Sequence, residues 1–312
     1  MKVVALGVHI LDVLARPVAE IPEGQGSQLV EQIKVTAAGA AGGTALTFAK
    51  LGAEVHSAGA IGTDNAGRML TMLLEDFGIS TEYLVRKDEF QTSATVLPIR
   101  PNGDRPAFHV VGATVGYGLD DVPMDLIAGA THLHFGAPEF LGGEKAAVIL
   151  SHAREHGVVT SADILAPGNP GLLEWIAPAL PHLDYLLPND EQVLGFTDAS
   201  TLLEGCRMLL DRGVGCVAAT AGADGALVVD AETSTAVPAF AIDVVDTTGC
   251  GDAFSAGFMR GIALGRGLQA SAELGCAAAA HVATGLGSDH GSFDLAGLDS
   301  YIAAAQQTGV VV

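Results

Sequence analysis

Short apolar runs that read as buried strands alternate with longer segments of helical periodicity along most of this chain. That alternation restricts the fold more than any other feature of the sequence. Val3 to Val8, Glu54 to Ile61, His132 to Phe135, Val158 to Asp163, Leu183 to Leu187, Val214 to Thr220 and Ala226 to Val229 read as strands. Between and after them lie helical patterns at Thr44 to Leu51, from Asp64 to Gly78, at Lys145 to His156, and near 252–265, 268–284 and 295–306. In the second helix Met69, Leu73 and Phe77 recur at i, i+4 and i+8, which predicts one buried face, and Asp64 is placed to cap it. Strand and helix in alternation imply an α/β fold with a mostly parallel sheet covered on both faces.

Two segments break the rhythm. Residues 13–36 and 92–112 carry strand-like stretches with no helix between them, and Pro101-Asn102-Gly103-Asp104 fits a hairpin turn. The expected organisation is therefore one α/β core made of residues 1–12, 37–91 and 113–312, with a small β lid made of 13–36 and 92–112. A β lid has edges that need covering, which points to a dimer.

Composition removes several classes of function. Of 312 residues, 49% are hydrophobic and 16% charged, so the chain has material for a sizeable core and is not a disordered segment. Lys and Arg total 15 against 36 Asp and Glu, a formal charge of −21 that disfavours nucleic acid and anionic membrane as partners. Cys206, Cys216, Cys250 and Cys276 are widely spaced and form no C-x-x-C pair, which fits a reducing compartment. The apolar start from Val3 to Leu11 runs straight into Asp12 without a clear cleavage site. No apolar stretch approaches the ~20 residues that span a bilayer. The expectation is a cytoplasmic protein.

The segment Asp246-Thr247-Thr248-Gly249-Cys250-Gly251-Asp252 carries the most chemistry. Phe254, Phe258 and Ile262 form an apolar stripe behind it, so a helix starts near Asp252. The amides of Gly249, Cys250 and Gly251 can then converge at the positive end of the helix dipole, an anion site suited to a phosphoryl group. A carboxylate beside an anion site is repelled by its ligand, unless it must take a proton from an attacking hydroxyl. As an ordinary N-cap, Asp252 would be explained, but its two glycines would not. A second cluster, Ala38-Gly39-Ala40-Ala41-Gly42-Gly43, allows either close approach of backbone to a polar ligand or tight helix–sheet packing. Asp12 follows the first strand, at the edge where α/β sheets bind ligands.

Taken together, these segments resemble the ribokinase-like kinases, the phosphofructokinase B family of sugar and nucleoside kinases. Asp246 to Asp252 is similar to the family's C-terminal signature, with Cys250 where alanine is usual. Residues 38–52 are similar to its N-terminal signature, and Gly7 with Asp12, Pro188-Asn189, and Thr220-x-Gly222-x-x-Gly225 follow in the family's order. The resemblance implies a ribokinase-like three-layer sandwich with a β lid, and an ATP-dependent kinase acting on a hydroxyl of a sugar or nucleoside-like molecule. Asp252 would be the catalytic base, and Gly249, Cys250 and Gly251 the anion hole. Asp12, Gly39 and Gly43 fall on the substrate side, and Asn189, Thr220, Gly222 and Gly225 on the nucleotide side. Asp246 and Thr248 would belong to a loop that often holds a monovalent cation such as K⁺. Mg²⁺ is expected with ATP rather than in a protein cage.

The chain departs from the family pattern in places. Gly43 stands where asparagine is common, which leaves a catalytically silent sugar- or nucleotide-binding relative as the alternative. The Asn-x-x-Glu motif reads Asn189-Asp190-Glu191-Gln192, and Thr284-Gly285-Leu286-Gly287-Ser288 matches the cation loop only loosely. No Gly-Lys dipeptide occurs, which excludes a Walker P-loop. His152-Ala-Arg-Glu155-His156 matches the H-x-x-E-H pattern of zinc peptidases, but at the end of a helix it reads as a solvated terminus. His132 and His134 share a strand face with nothing nearby to complete a metal site. Cys250 at a helix start is either a low-pKa thiol or a replacement for alanine.

Overall fold

The computed structural model describes residues 1–308. Thirteen strands are present among them: β1 (Lys2–Gly7), β2 (Ile10–Arg16), β3 (Gln32–Ala38), β4 (Glu54–Gly62), β5 (Ser80–Lys87), β6 (Ala94–Pro98), β7 (Phe108–Val110), β8 (His132–Gly136), β9 (Val159–Asp163), β10 (Tyr185–Leu186), β11 (Cys216–Thr220), β12 (Ala226–Asp230) and β13 (Ser234–Val237). The helices are α1 (Ala40–Lys50), α2 (Asn65–Glu75), α3 (Met124–Ala128), α4 (Gly143–Glu155), α5 (Pro170–Ile176), α6 (Asp190–Thr197), α7 (Leu202–Asp211), α8 (Cys250–Ala263), α9 (Leu268–Ala283) and α10 (Leu295–Thr308).

Nine strands form one sheet in the order β13-β12-β11-β10-β9-β8-β1-β4-β5. Every pairing from β11 through β10, β9, β8, β1 and β4 to β5 is parallel; β12 and β13 close one edge antiparallel. Side chains alternate faces along a strand, and β1 shows what that does here. Val4 and Leu6 enter the core packed with α4 and α7 through Ile149, Leu150 and Leu209. Val3 and Ala5 enter the opposite core with Phe48 of α1 and Phe254 and Phe258 of α8. The result is a helix–sheet–helix sandwich, the expected architecture.

The remaining strands form a separate sheet in the order β3-β2-β6-β7, with β2–β6 parallel and the other pairings antiparallel. Its strands start and stop a few residues from the expected segments, since β2 already begins at Ile10 and β3 runs to Ala38. The Asn102-Gly103 turn sits within a longer β6–β7 connection, with Gly103 at φ 88° and Arg100 N–H donating to Asp104 O at 2.8 Å.

Several local expectations are corrected. The face of α2 that packs inward is Gly67, Leu70 and Leu74; Met69 is exposed, while Leu73 and Phe77 are only partly buried. Gly67 decides this, because a Cβ there would strike the carbonyl of Gly62, so the helix can approach the sheet only along that line. Helix α1 begins at Ala40 rather than Thr44, so Gly42 and Gly43 lie inside its first turn. Strands β5 and β13 were not anticipated.

Asp64 caps α2 and also fastens the helix to the entrance of β6. Its Oδ1 accepts from Gly67 N (2.9 Å) and Thr92 Oγ1 (2.6 Å), and its Oδ2 accepts from Thr92 N (2.9 Å). Burial alone would raise its pKa, but these donors outweigh it and hold the carboxyl below its usual value. A depressed folded pKa gives stability that is present above the unfolded value and lost as pH falls through the folded one. Asp64→Ala should therefore cost about 1–2 kcal/mol in urea unfolding at pH 7. The gap to the wild type should narrow once the pH drops below about 4. An unchanged midpoint would remove the cap.

Candidate active site

A cleft of about 410 Å³ opens at the carboxyl ends of the central strands, where α/β sheets place their ligand sites, with the small sheet on one side. Of the residues singled out above, Asp12, Gly39, Asn189, Thr220, Thr248, Gly249, Gly251 and Asp252 line it together. Gly43, Cys250, Asp246, Gly222 and Gly225 lie off its lining.

Helix α8 starts at Cys250, with Gly249 in the N-cap position at φ 80°, so Asp252 is the third helical residue and not the cap. No side chain caps this helix, which leaves its first-turn amides to whatever enters the cleft. A side chain at Gly249 would also collide with Ser288, so the left-handed turn and the close approach both require glycine. Cys250 N–H already donates to Thr247 O at 3.3 Å, so it is not among the free first-turn amides. The Cys250 thiol contacts Ala279 O of α9 at 3.7 Å, and burial pushes its pKa up to about 12. A partly buried thiol raised in this way fits the replacement of alanine better than a low-pKa thiol.

Asp246 holds this loop from beneath. It is fully buried; Oδ1 accepts from Thr248 N (3.0 Å) and Thr248 Oγ1 (2.8 Å), and Oδ2 accepts from Gly287 N (2.9 Å). In the 284–290 segment, Lys34 Nζ donates to Leu286 O and Lys50 Nζ to Asp289 O and His290 O, each at 2.8 Å. Lys34 Nζ also lies 2.6 Å from Asp289 Oδ1, as an ion pair off the line of a hydrogen bond. These oxygens are the kind a monovalent cation would need, and the chain's own donors already engage them. The arrangement does not fit a K⁺ cage, and no step below is routed through one.

The floor is acidic. Asp252 is raised well above the ordinary carboxylate range, first by burial and then by the negative charges of Asp163 and Asp12, against an opposing pull from Arg105. Asp12, on β2 and nearly buried, is pushed to about 6 by burial, which outweighs a hydrogen bond from Thr95 and the charge of Arg105. Thr95 Oγ1 in turn meets His109 Nδ1 at 3.0 Å. Gly43 has a structural reason beneath this floor: a Cβ there would occupy the position of the Asp252 carboxylate. The glycine gives the carboxylate its seat and does not reach the cleft itself.

Sequence reading missed Arg105, Thr95, His109 and Asp163 as site residues and named Ser288 only within the loosely matching 284–288 loop; all five line the cleft. Arg105 comes from the β6–β7 connection, and its Nε donates to Thr247 Oγ1 at 3.1 Å, 142 residues away in sequence. Only the fold brings the two together. Asn189 and Thr220 pair through an isolated parallel bridge, with Thr220 N–H donating to Pro188 O at 3.0 Å. Glu191 is exposed and off the cleft. The H-x-x-E-H segment is not a zinc site: His152 Nε2 lies 3.1 Å from Met124 O and His156 Nδ1 2.9 Å from His152 O. No cluster of three metal-ligating side chains occurs among the described residues.

A carboxylate of raised pKa next to uncapped helix amides, in a cleft at the carboxyl ends of a parallel sheet, suits phosphoryl transfer to an alcohol. Residues 2–293 match the model of the pfkB family carbohydrate kinases, and the chain belongs to that family. It is 28% identical over 259 residues to the ATP-dependent ribose-1-phosphate kinase of Halopiger xanaduensis, covering 83% of this chain and 84% of that one. It is 26% identical to the aminoimidazole riboside kinase of Salmonella typhimurium over 77% and 76% of the two chains. Among solved structures, the fructokinase with bound ATP from Xylella fastidiosa superposes with a TM-score of 0.82 at 18% identity, over 98% and 99% of the chains. A Ribokinase II from E. coli, described in complex with ATP and Mg²⁺, gives 0.85 at 20% identity over 97% and 99%. At these identities the structures establish the ribokinase-like fold.

Gly43→Ala should leave the fold intact but displace the Asp252 carboxylate. Misplacing a catalytic group by about 1 Å costs on the order of 10²-fold in turnover. Turnover within twofold of wild type, in a variant with an unchanged melting temperature, would mean that the seat is not needed.

Proposed function

We propose that this kinase transfers the γ-phosphoryl group of ATP to a hydroxyl of a small sugar or nucleoside-like acceptor, with Asp252 as general base. The observation that carries this reading is a carboxylate of raised pKa in the first turn of an uncapped helix. An ordinary binding site for phosphate would not hold a negative side chain there.

The acceptor lies on the side of Asp12, Gly39 and Thr95, with the small sheet acting as a lid. Its hydroxyl faces Asp252, which takes the proton as the hydroxyl oxygen bonds to the γ-phosphorus and the bond to the bridging oxygen of ADP breaks. The Gly251 and Asp252 amides and the α8 dipole stabilise charge on the transferred phosphoryl oxygens, and Arg105 reaches the same loop from the lid. Asn189 and Thr220 lie beside the nucleotide. Magnesium bound with ATP neutralises phosphate charge. The cleft suits it, since Asp12, Asp163 and Asp252 face a single arginine across the lining. Nothing supports the catalytically silent alternative.

Dimerisation through the lid is part of the proposal. Strand register sorts Asp12, Thr36, Thr95 and His109 onto the cleft side and Val13, Val35, Ile33, Val96 and Phe108 onto the other. That outer face is apolar yet open, with Ile33 67%, Val96 50% and Phe108 62% exposed in the single chain. A second copy of the same face would cover it. The four cysteines form no disulfide, and no described helix is long and apolar enough to cross a membrane; the free thiols suit a reducing cytoplasm.

Two experiments test this. ATP consumption with Mg²⁺ should be triggered by one member of a panel of sugars, sugar phosphates, polyols and nucleosides. Asp252→Asn should lose at least ~10²-fold in turnover. A base must be ionised, so wild-type turnover should fall as pH drops through the raised Asp252 pKa, well above the pH at which an ordinary aspartate titrates, and the variant should lose that limb. Full activity in Asp252→Asn would remove the base. Separately, sedimentation should find a dimer that Phe108→Glu converts to monomer; a wild-type monomer would refute the lid interface.

A further inference from the structure

The loop ahead of α8 does not hold its shape alone. Asp246 ties it to Gly287 N, and the buried Ser288 lies directly against Gly249, so residues 246–251 stand where the 284–290 segment puts them. That segment is irregular backbone, and its carbonyls must find partners outside a helix or a sheet. Three of them find ammonium groups. Lys34 Nζ donates to Leu286 O, and Lys50 Nζ donates to Asp289 O and His290 O, each at 2.8 Å.

The two lysines reach this segment from separate elements. Lys34 shares a face of β3 with Thr36, whose methyl packs so closely on Gly287 that a Cβ there would strike it. Lys50 ends α1. A lysine in a last turn ordinarily serves its own helix dipole. Here its Nζ instead crosses to carbonyls 239 and 240 residues further along the chain, 5.7 Å from the ring centre of Phe77 and 4.6 Å from that of Phe293. Burial lowers Lys50 to about 8 against the pull of Asp289, so the ammonium keeps its charge at neutral pH. Asp246 and Asp289 bring two negative charges to the two loops, and Lys34 and Lys50 bring two positive ones. Burial and both lysine charges lower the pKa of His290, so it adds no third cation. An alkali ion entering here would have to displace one ammonium from its carbonyl and sit beside the other.

We infer that Lys34 and Lys50 are positioning residues whose ammonium groups do the work of a monovalent cation for the loop that leads to Asp252, so that turnover needs no alkali ion. A lysine ammonium suits the task, as a compact point charge with three donors and no acceptor. A free ion leaves its site as its concentration falls, by mass action. A covalently carried ammonium does not, so the loop keeps its shape whatever the salt. Lys34 also brings the small sheet into the arrangement, since the strand that supplies it pairs with the strand that carries Asp12.

This inference rests on the kinase reading for its effect on turnover, and the test separates the two. Wild type, Lys34→Met and Lys50→Met are compared in tetramethylammonium, ammonium and potassium chloride at one ionic strength, so that screening is equal. Wild-type turnover should agree within about twofold in all three salts. Nuclear resonance of Tl⁺, a potassium mimic, should find no saturable site in wild type. Lys34→Met keeps most of the stem but leaves Leu286 O without its donor. In tetramethylammonium it should lose about tenfold or more in turnover, because the loop that places the base is loosened. Ammonium or potassium should restore part of that loss, which a purely structural lysine would not allow. Amide exchange over 246–251 and 284–290 should quicken in either variant and slow again with potassium, a readout that needs no acceptor. Potassium activation of wild type beyond that range, or a saturable Tl⁺ site in it, overturns the lysine assignment alone. So does a folded variant with unchanged turnover and exchange, or one whose defect no small cation relieves. Melting curves identify a variant that fails to fold, and the other variant and wild type then decide. If no acceptor triggers ATP consumption, the kinase reading fails, and exchange and Tl⁺ binding still decide the role of the lysines.

Discussion

The cleft depends on how the loop ahead of α8 is held, and that rests on the buried carboxylate of Asp246. With three donors from Thr248 and Gly287, it clamps the 246–251 loop to the 284–288 loop. Buried charge is costly unless it is hydrogen-bonded, so once formed this arrangement has few alternatives. The left-handed turn at Gly249, the first-turn amides of α8 and the seat of Asp252 all follow from it. Lys34 reaches the same region from β3, so the small sheet is fastened to the loop as well as arranged over the cleft.

The second organising feature is electrostatic conflict. Three aspartates face a cleft with one arginine, in a protein that is acidic overall. On the proposed reading Asp252 takes a proton and Asp12 orients the acceptor, so the two carboxylates stand close despite their repulsion. A surface cluster of acids would disperse its charge into water. Here burial itself raises both Asp12 and Asp252, and the charges of Asp163 and Asp12 raise Asp252 further. Arg105 is the counterweight, and it arrives from the β6–β7 connection of the small sheet, so the balance depends on where that sheet sits.

Much of this was legible along the chain. The strand and helix alternation announced the sandwich because burial imposes a period on each element, and the β interruptions announced a second sheet. The signature from Asp246 to Asp252 marked the anion loop because glycine spacing and a following apolar stripe are local properties. Less legible was which stripe of α2 turns inward, since two apolar lines run along that helix and a tertiary contact at Gly67 chooses between them. The same holds for Gly43. As a sequence position it reads as a missing substrate contact, and in the fold it is the space into which Asp252 fits.

The sequence by itself determined the fold class, much of the order of the elements, the family and the loop that carries Asp252, because these are written in short-range spacing and in the order of local motifs. Tertiary structure alone decided which charges meet. Arg105 and Thr247 lie 142 positions apart, Asp246 and Gly287 lie 41 apart, and Asp163 acquires its place only from the sheet order between β8 and β10. Coulomb interactions and desolvation act through space, so a residue's chemistry is set by neighbours that the linear chain does not reveal.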